Sequence, residues 1–286
     1  MALTAIALIL VAALVHATWN LLVKRAGGGI PFLWLFALVT TIIYAPLAGT
    51  VLLIQKPHVG WVELLFMGGT AGFHLVYFVL LQRGYRVGDL SLVYPLARGT
   101  GPLLATAAAI AVMGERPGPL AVAGALLIAV GVFVLAGGLK ALRVGESKQA
   151  VGYGLITGMS IAAYTLWDKT AVSSVMIPPI LLEYASNLGR VALLAPQVLR
   201  RPQEVRRQWH DHWKEAVGVG LLCPLSYICV LTAMVFTPVS YVAPAREISI
   251  LVGAFMGAHF LAEGERGRRL LAAGTMVAGV IALAAG

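Results

Sequence analysis

His16, Trp19 and Asn20 fall three and four positions apart, as do Glu183, Asn187 and Arg190, so each set shares one face if its segment is helical. His74, Tyr77 and Phe78 repeat the spacing, and so do Ser91, Tyr94 and Arg98. An imidazole, an indole, an amide and a guanidinium on such stripes can hold a small solute by hydrogen bonding, ion pairing and cation–π contact. Glu183 and Arg190 stand two turns apart and cannot touch easily, which favours water or substrate between them, with a structural ion-pair network as the other reading. The marks of bond-making are missing. There is no Gly-x-x-x-x-Gly-Lys phosphate loop, no His-Glu-x-x-His and no Gly-rich dinucleotide fingerprint after a strand, so ATP-driven pumping has no machinery.

The elements that position these stripes follow from hydropathy. Of the 286 residues 59% are hydrophobic and 12% charged, with a mean hydropathy of +0.88. Apolar runs of about 20 residues read as membrane crossings, because lipid offers the backbone no hydrogen-bond partners. Ten such runs are expected, at 3–23, 30–54, 60–82, 87–112, 118–139, 151–172, 177–199, 215–236, 238–261 and 268–286. The fold class is therefore an all-α integral membrane protein of ten transmembrane helices. Arg98 lies inside the fourth run and Arg246 inside the ninth. Facing lipid would cost each of them about 3 kcal/mol on insertion scales, so both should face protein or water. Two roles compete for them: binding a substrate carboxylate, or tying down carbonyls freed near Pro95, Pro102 and Pro244.

The net charge of +9 raises nucleic acid as a partner, but the distribution points elsewhere. Loops after runs 1, 3, 5, 7 and 9 hold 15 of the 21 Lys and Arg, which the positive-inside rule places in the cytoplasm. Both ends then lie on the same, extracytoplasmic side. The longest loop, 200–214, is basic and carries Trp209 and Trp213, as a segment against anionic headgroups would. Its His210 and His212 lack further nearby ligands, so no metal site is expected there. Cys223 and Cys229, six apart in one run, have neither disulfide nor metal-ligand spacing.

The sequence also repeats itself. A shift of 148 places Trp19 on Trp167, Arg98 on Arg246, Glu115 on Glu263 and Gly131 on Gly279. A shift of 149 places Ser91, Val93 and Pro95 on Ser240, Val242 and Pro244. Rare residues coinciding at one shift are stronger evidence than overall identity. Each half has five crossings, an odd number, so the second half must be inverted. The stripe of His16, Trp19 and Asn20 then maps onto Tyr164, Trp167 and Asp168, while Ser226 and Tyr227 fall in the eighth run at places similar to His74 and Tyr77. These stripes should meet around a central cavity between two inverted five-helix repeats, in the manner of secondary transporters. Gly68/Gly72, Gly154/Gly158 and Gly253/Gly257 have the spacing that lets helices approach closely.

Trp and Lys after the first crossing ("HATWNLLVK"), a Pro-containing fourth helix ending in Gly-Glu, and a small-residue fifth helix make the chain resemble the drug/metabolite transporter (DMT) superfamily, in its EamA-type ten-helix branch that includes YddG-like amino-acid exporters. The second half departs from the pattern, with Ala262-Glu263 for Gly-Glu and "WDKTAV" after the sixth helix. The resemblance implies a secondary transporter working by alternating access, with repeats at 1–139 and 151–286 joined by a cytoplasmic linker at 140–150. It implies no catalytic residue, no metal and no cofactor, and location in a prokaryotic plasma (inner) membrane.

The first helix lacks the embedded Glu of the small proton antiporters in this superfamily, which leaves His16, His74 or Glu183 for any proton coupling; facilitated export needs fewer assumptions. The expected cargo is a neutral amino acid, aromatic ones included, held by His16, Trp19, Asn20, His74, Tyr77, Phe78, Tyr94, Arg98, Tyr164, Trp167, Glu183, Asn187, Tyr227 and Arg246. Partners are thus a small molecule and the bilayer, not nucleic acid, with a monomer expected and a dimer the alternative. A sugar-phosphate or nucleotide-sugar exchanger is the rival within transport. An intramembrane enzyme using His16, His74 and Asp168 is the remote one.

Overall fold

A computed structural model of the chain describes residues 1–87, 90–135, 148–253 and 266–286, with the side chains of a few residues beside the gaps left out. These form ten helices and, among the described residues, no strand: α1 (Leu3–Arg25), α2 (Ile30–Gln55), α3 (Trp61–Val87), α4 (Leu90–Val112), α5 (Pro119–Leu135), α6 (Lys148–Ser173), α7 (Pro179–Val198), α8 (Pro202–Phe236), α9 (Val239–Ala245) and α10 (Arg266–Ala285). Each lies on one of the ten expected runs. Among the described residues, α1, α2, α3 and α8 are by themselves long and apolar enough to cross a bilayer. α6 is diluted by Gly, Tyr, Thr and Ser and carries Asp168 and Lys169 towards its end, and α7 carries Glu183 and Arg190 within it. Leucines and isoleucines such as Leu14, Ile42, Leu65, Leu193 and Ile281 cover the outside. Polar side chains including Thr70, Asp168, Glu183, Asn187 and Glu247 are buried, the arrangement that lipid as solvent demands.

One expected loop is helical. Residues 202–211 begin α8, which bends at His212 (φ −136°, ψ 28°) before entering the apolar run. Pro202 at the helix start and the polar faces of Glu204, Arg207 and Asp211 explain it: the i, i+3 and i, i+4 pairs Arg201–Glu204 and Arg207–Asp211 support a solvated turn.

Inversion of the halves is visible at the pairing of α5 with α10, which occupy equivalent places in the repeat. Gly124 lies against Gly279, where a Cβ would come within 2.6 Å of the Gly279 carbonyl oxygen, and Gly131 lies against Met276 and Ala272. Residue numbers rise on one helix as they fall on the other, so the two run antiparallel. The two contacts are also equivalents, because the shift of 148 carries Gly124 to Ala272 and Gly131 to Gly279. The other pairings exchange in the same way: α1 packs on α8 as α6 packs on α3, and α2 on α8 as α7 on α3. The Met1 ammonium donates to the Ala284 carbonyl at 3.1 Å, so the two ends meet.

Two sequence features receive a structural explanation. Glu115, of the Gly-Glu ending, accepts from the Val239 and Ser240 amides at 2.7 and 2.9 Å, a carboxylate seated on the first turn of α9. Its repeat partner Glu263 lies outside the described residues. Gly154 and Gly158 pack α6 closely on α4 beside Leu96 and Thr100, whereas nothing stands within 4 Å of a Cβ on Gly68 or Gly72. On α3 the close approaches are at Gly69, against Trp167, and at Gly84, against Val93.

Candidate functional site

The chain encloses a cavity of about 360 Å³ between α1, α2, α3, α4, α6, α7, α8 and the residues after α9. Of the expected site residues, His16, Trp19, Asn20, His74, Tyr77, Phe78, Arg98, Tyr164, Glu183, Tyr227 and Arg246 border it. So do Arg190, whose spacing from Glu183 favours water or substrate between them, Ser226, and Gln82, Tyr85 and Ser249, which lie on none of the stripes. The side chain of Tyr94 lies outside the described residues.

Trp167 does not line the cavity. Its indole donates to the Phe66 carbonyl at 2.9 Å, stacks near Phe66 and Phe73, and fills the notch left by Gly69, where a Cβ would come within 2.3 Å of the ring. The matching notch of the other pairing, at Gly218, is filled by Leu22 instead. The repeat therefore places Trp19 and Trp167 at equivalent positions in the chain and in unlike surroundings. Trp19 meets His16 edge-on at a centroid distance of 4.7 Å, and its buried Nε1 has no hydrogen-bond partner. Accordingly Trp167→Ala should lower the stability of the folded protein, by about 3 kcal/mol for a packed indole, while Trp19→Ala should leave folding closer to the parent. Thermal midpoints of the purified variants test this; equal midpoints for Trp167→Ala and the parent would mean that the notch contributes nothing.

Asn187 is the second correction. It is buried beneath the cavity surface, donates through Nδ2 to Glu183 Oε1 at 2.7 Å and accepts from Arg190 at 3.0 Å. The expected gap between carboxylate and guanidinium is thus bridged by protein. Sequence gave the shared face, but only the rotamers reveal the bridge.

The arginines of the repeat pair meet at one carboxylate. Arg98 Nε lies 3.0 Å from Glu247 Oε2, and Arg246 Nε lies 3.4 Å from Oε1. Arg246 also donates to the Tyr164 hydroxyl at 2.9 Å and sits 5.6 Å from that ring's centroid. Glu247 is within reach of both because α9 ends at Ala245: Arg246 and Glu247 occupy a turn, and residues 248–253 are helical again. The repeat places Gly99 opposite Glu247, so the carboxylate belongs to one half alone.

Asp168 is the hub that the stripe on α6 had only hinted at. Fully buried, it accepts from Thr70 at 2.7 Å and from Tyr227 at 2.5 Å, and its Oδ2 lies 3.1 Å from His74 Nε2. Three helices are joined at this carboxylate. Three guanidiniums (Arg98, Arg190, Arg246) and one carboxylate (Glu183) line the cavity; Asp168 and Glu247 lie buried behind the lining, against His74 and the two arginines, and counted with them the formal charges of these groups cancel.

A family model for EamA-like transporters matches residues 3–137 and 148–285. The chain belongs to the EamA-like transporter family. As an EamA-like transporter it carries the family pattern twice, once in each half, in agreement with the internal shift. A solved structure described simply as "Crystal structure of protein" has the same fold, with a TM-score of 0.76 at 21% identity over 99% of this chain and 96% of that one. No match appears among curated proteins. Family membership makes this a multi-pass membrane transporter of the DMT superfamily. In such a protein a cavity lined by both halves is the candidate place for cargo.

Proposed function

We propose that this transporter exports neutral amino acids, aromatic ones included, by exposing the cavity alternately to the two sides of a prokaryotic inner membrane. The observation that carries the reading is the charge balance of the cavity, set within walls of Trp19, His74, Tyr77, Phe78, Tyr164 and Tyr227. A zwitterion adds no net charge to a balanced site. A sugar phosphate brings two negative charges beside Glu183, and two of the three guanidiniums already share Glu247. The volume suits a small metabolite with a bulky side chain. In this reading the basic segments, including the start of α8, face the cytoplasm, and the chain ends face outward.

An exporter of an abundant cytoplasmic solute has no need of tight binding, and a millimolar Kd is only about −4 kcal/mol. The test is counterflow into proteoliposomes, with labelled phenylalanine, leucine and tryptophan set against phosphorylated sugars, with and without a pH gradient. Saturable amino-acid counterflow that needs no gradient is expected. Flux of phosphorylated sugars without amino-acid flux would overturn the reading.

A further inference from the structure

Every charged group around the cavity can be asked what already occupies it. Glu247 holds Arg98 and Arg246 together, and Asp168 accepts from Thr70 and Tyr227 and lies beside His74. The pair on α7 is different. Glu183 is 3% exposed and borders the cavity; Asn187 engages its Oε1, while its Oε2 is buried without a hydrogen-bond partner. A buried carboxylate oxygen in that condition is costly, and native proteins rarely leave one without reason. Arg190 borders the same cavity and uses one guanidinium nitrogen on Asn187. A guanidinium carries five N–H donors in a planar fork suited to a carboxylate.

The geometry on α7 also sets the spacing. Glu183 and Arg190 are seven residues apart, roughly 10 Å along the axis, and their long side chains converge on the amide of Asn187 from opposite ends. An acceptor of negative charge and a donor of positive charge are therefore held apart by the width of one amide group. The ammonium and carboxylate of an α-amino acid are likewise separated by a single carbon.

We infer that Glu183 and Arg190 form the subsite for the charged end of the cargo, Glu183 Oε2 receiving the α-ammonium and the Arg190 fork the α-carboxylate, with Asn187 as the spacer. The inference rests on the amino-acid reading of the cavity and adds to it a requirement for both charged groups on one carbon. It leaves the aromatic wall of α1 and α3 for the cargo's side chain. It also gives Arg98 and Arg246 a structural part, since their charge is taken up by Glu247.

The experiment is competition against labelled phenylalanine counterflow in proteoliposomes, using phenethylamine, which lacks the carboxylate, and 3-phenylpropionate, which lacks the ammonium. With the parent protein both analogues should compete at least tenfold less well than phenylalanine. Glu183→Gln should weaken phenylalanine at least tenfold and leave 3-phenylpropionate unchanged; Arg190→Gln should do the same to phenylalanine and spare phenethylamine. If Glu183 instead serves as a neutral, protonated acid, Glu183→Gln keeps the parental preference and the inference falls. Parent counterflow that both analogues compete as well as phenylalanine overturns it too, a result that does not depend on any variant folding. Absence of phenylalanine counterflow with the parent fails the amino-acid reading itself and the subsite with it, whereas counterflow with unaltered preference in the variants fails the subsite alone.

Discussion

Asp168→Ala is expected to destabilise the protein by about 3 kcal/mol, more than removal of any one of the donors that surround it. The carboxylate is fully buried and joins α6 to α3 through Thr70 and His74 and to α8 through Tyr227. Interhelical hydrogen bonds within membrane proteins average about 0.6 kcal/mol each and reach about 1.7, because the unfolded chain in the bilayer also finds partners. Three of them at the upper end, together with donors left without an acceptor, reach the 3–5 kcal/mol typical of breaking a buried charged contact. Tyr227→Phe and Thr70→Val each remove one donor and should cost about 1 kcal/mol. Asp168→Asn should fall between, since one amide oxygen still accepts while the NH2 group faces donors. Unfolding midpoints of purified protein in one detergent decide the order. An Asp168→Ala midpoint equal to that of Tyr227→Phe would show that the carboxylate does not organise the three helices.

That hub illustrates what the sequence could and could not convey. The shift of 148 put Asp168 on the stripe opposite Asn20, so the helix face was legible. Its partners were not, because Thr70, His74 and Tyr227 are 98, 94 and 59 residues away and only packing brings them together. The ten helices were readable for a stronger reason: lipid forces each crossing to satisfy its own backbone, so length and hydropathy nearly suffice. The repeat was readable because Trp and Arg are rare in apolar runs. What the repeat could not reveal is where its two copies differ. Trp167 enters the notch at Gly69, and nothing in the sequence marks that glycine among its neighbours Gly68 and Gly72. The start of α8 is helical where the sequence predicts a loop, because its polarity, taken alone, fits either a solvated helix or a coil.

The largest effect of all should follow from Glu247→Ala. Glu247 is 1% exposed and lies between two guanidiniums, at 3.0 Å from Arg98 and 3.4 Å from Arg246. Taking away the shared carboxylate leaves two buried positive charges facing each other, with Tyr164 to hold one of them. Removing one partner of a single buried pair costs about 3–5 kcal/mol, and here one deletion takes the shared carboxylate from both arginines, so the loss should approach the whole stability of an ordinary domain. Glu247→Ala should therefore yield little or no monodisperse protein from membranes. Replacing Arg98, Arg246 and Glu247 together by methionine removes the charges as well as their partner, and such exchanges are often neutral or stabilising. The triple variant should thus recover folded yield where the single one fails. Its counterflow then separates two roles: near-parental flux of phenylalanine places the triad in the scaffold, as the assignment of the charged end to Glu183 and Arg190 requires, whereas a folded triple variant without flux would make the triad part of the path that the cargo takes. Normal yield from Glu247→Ala would refute the premise, since two guanidiniums that have lost their shared carboxylate cannot stay buried at no cost.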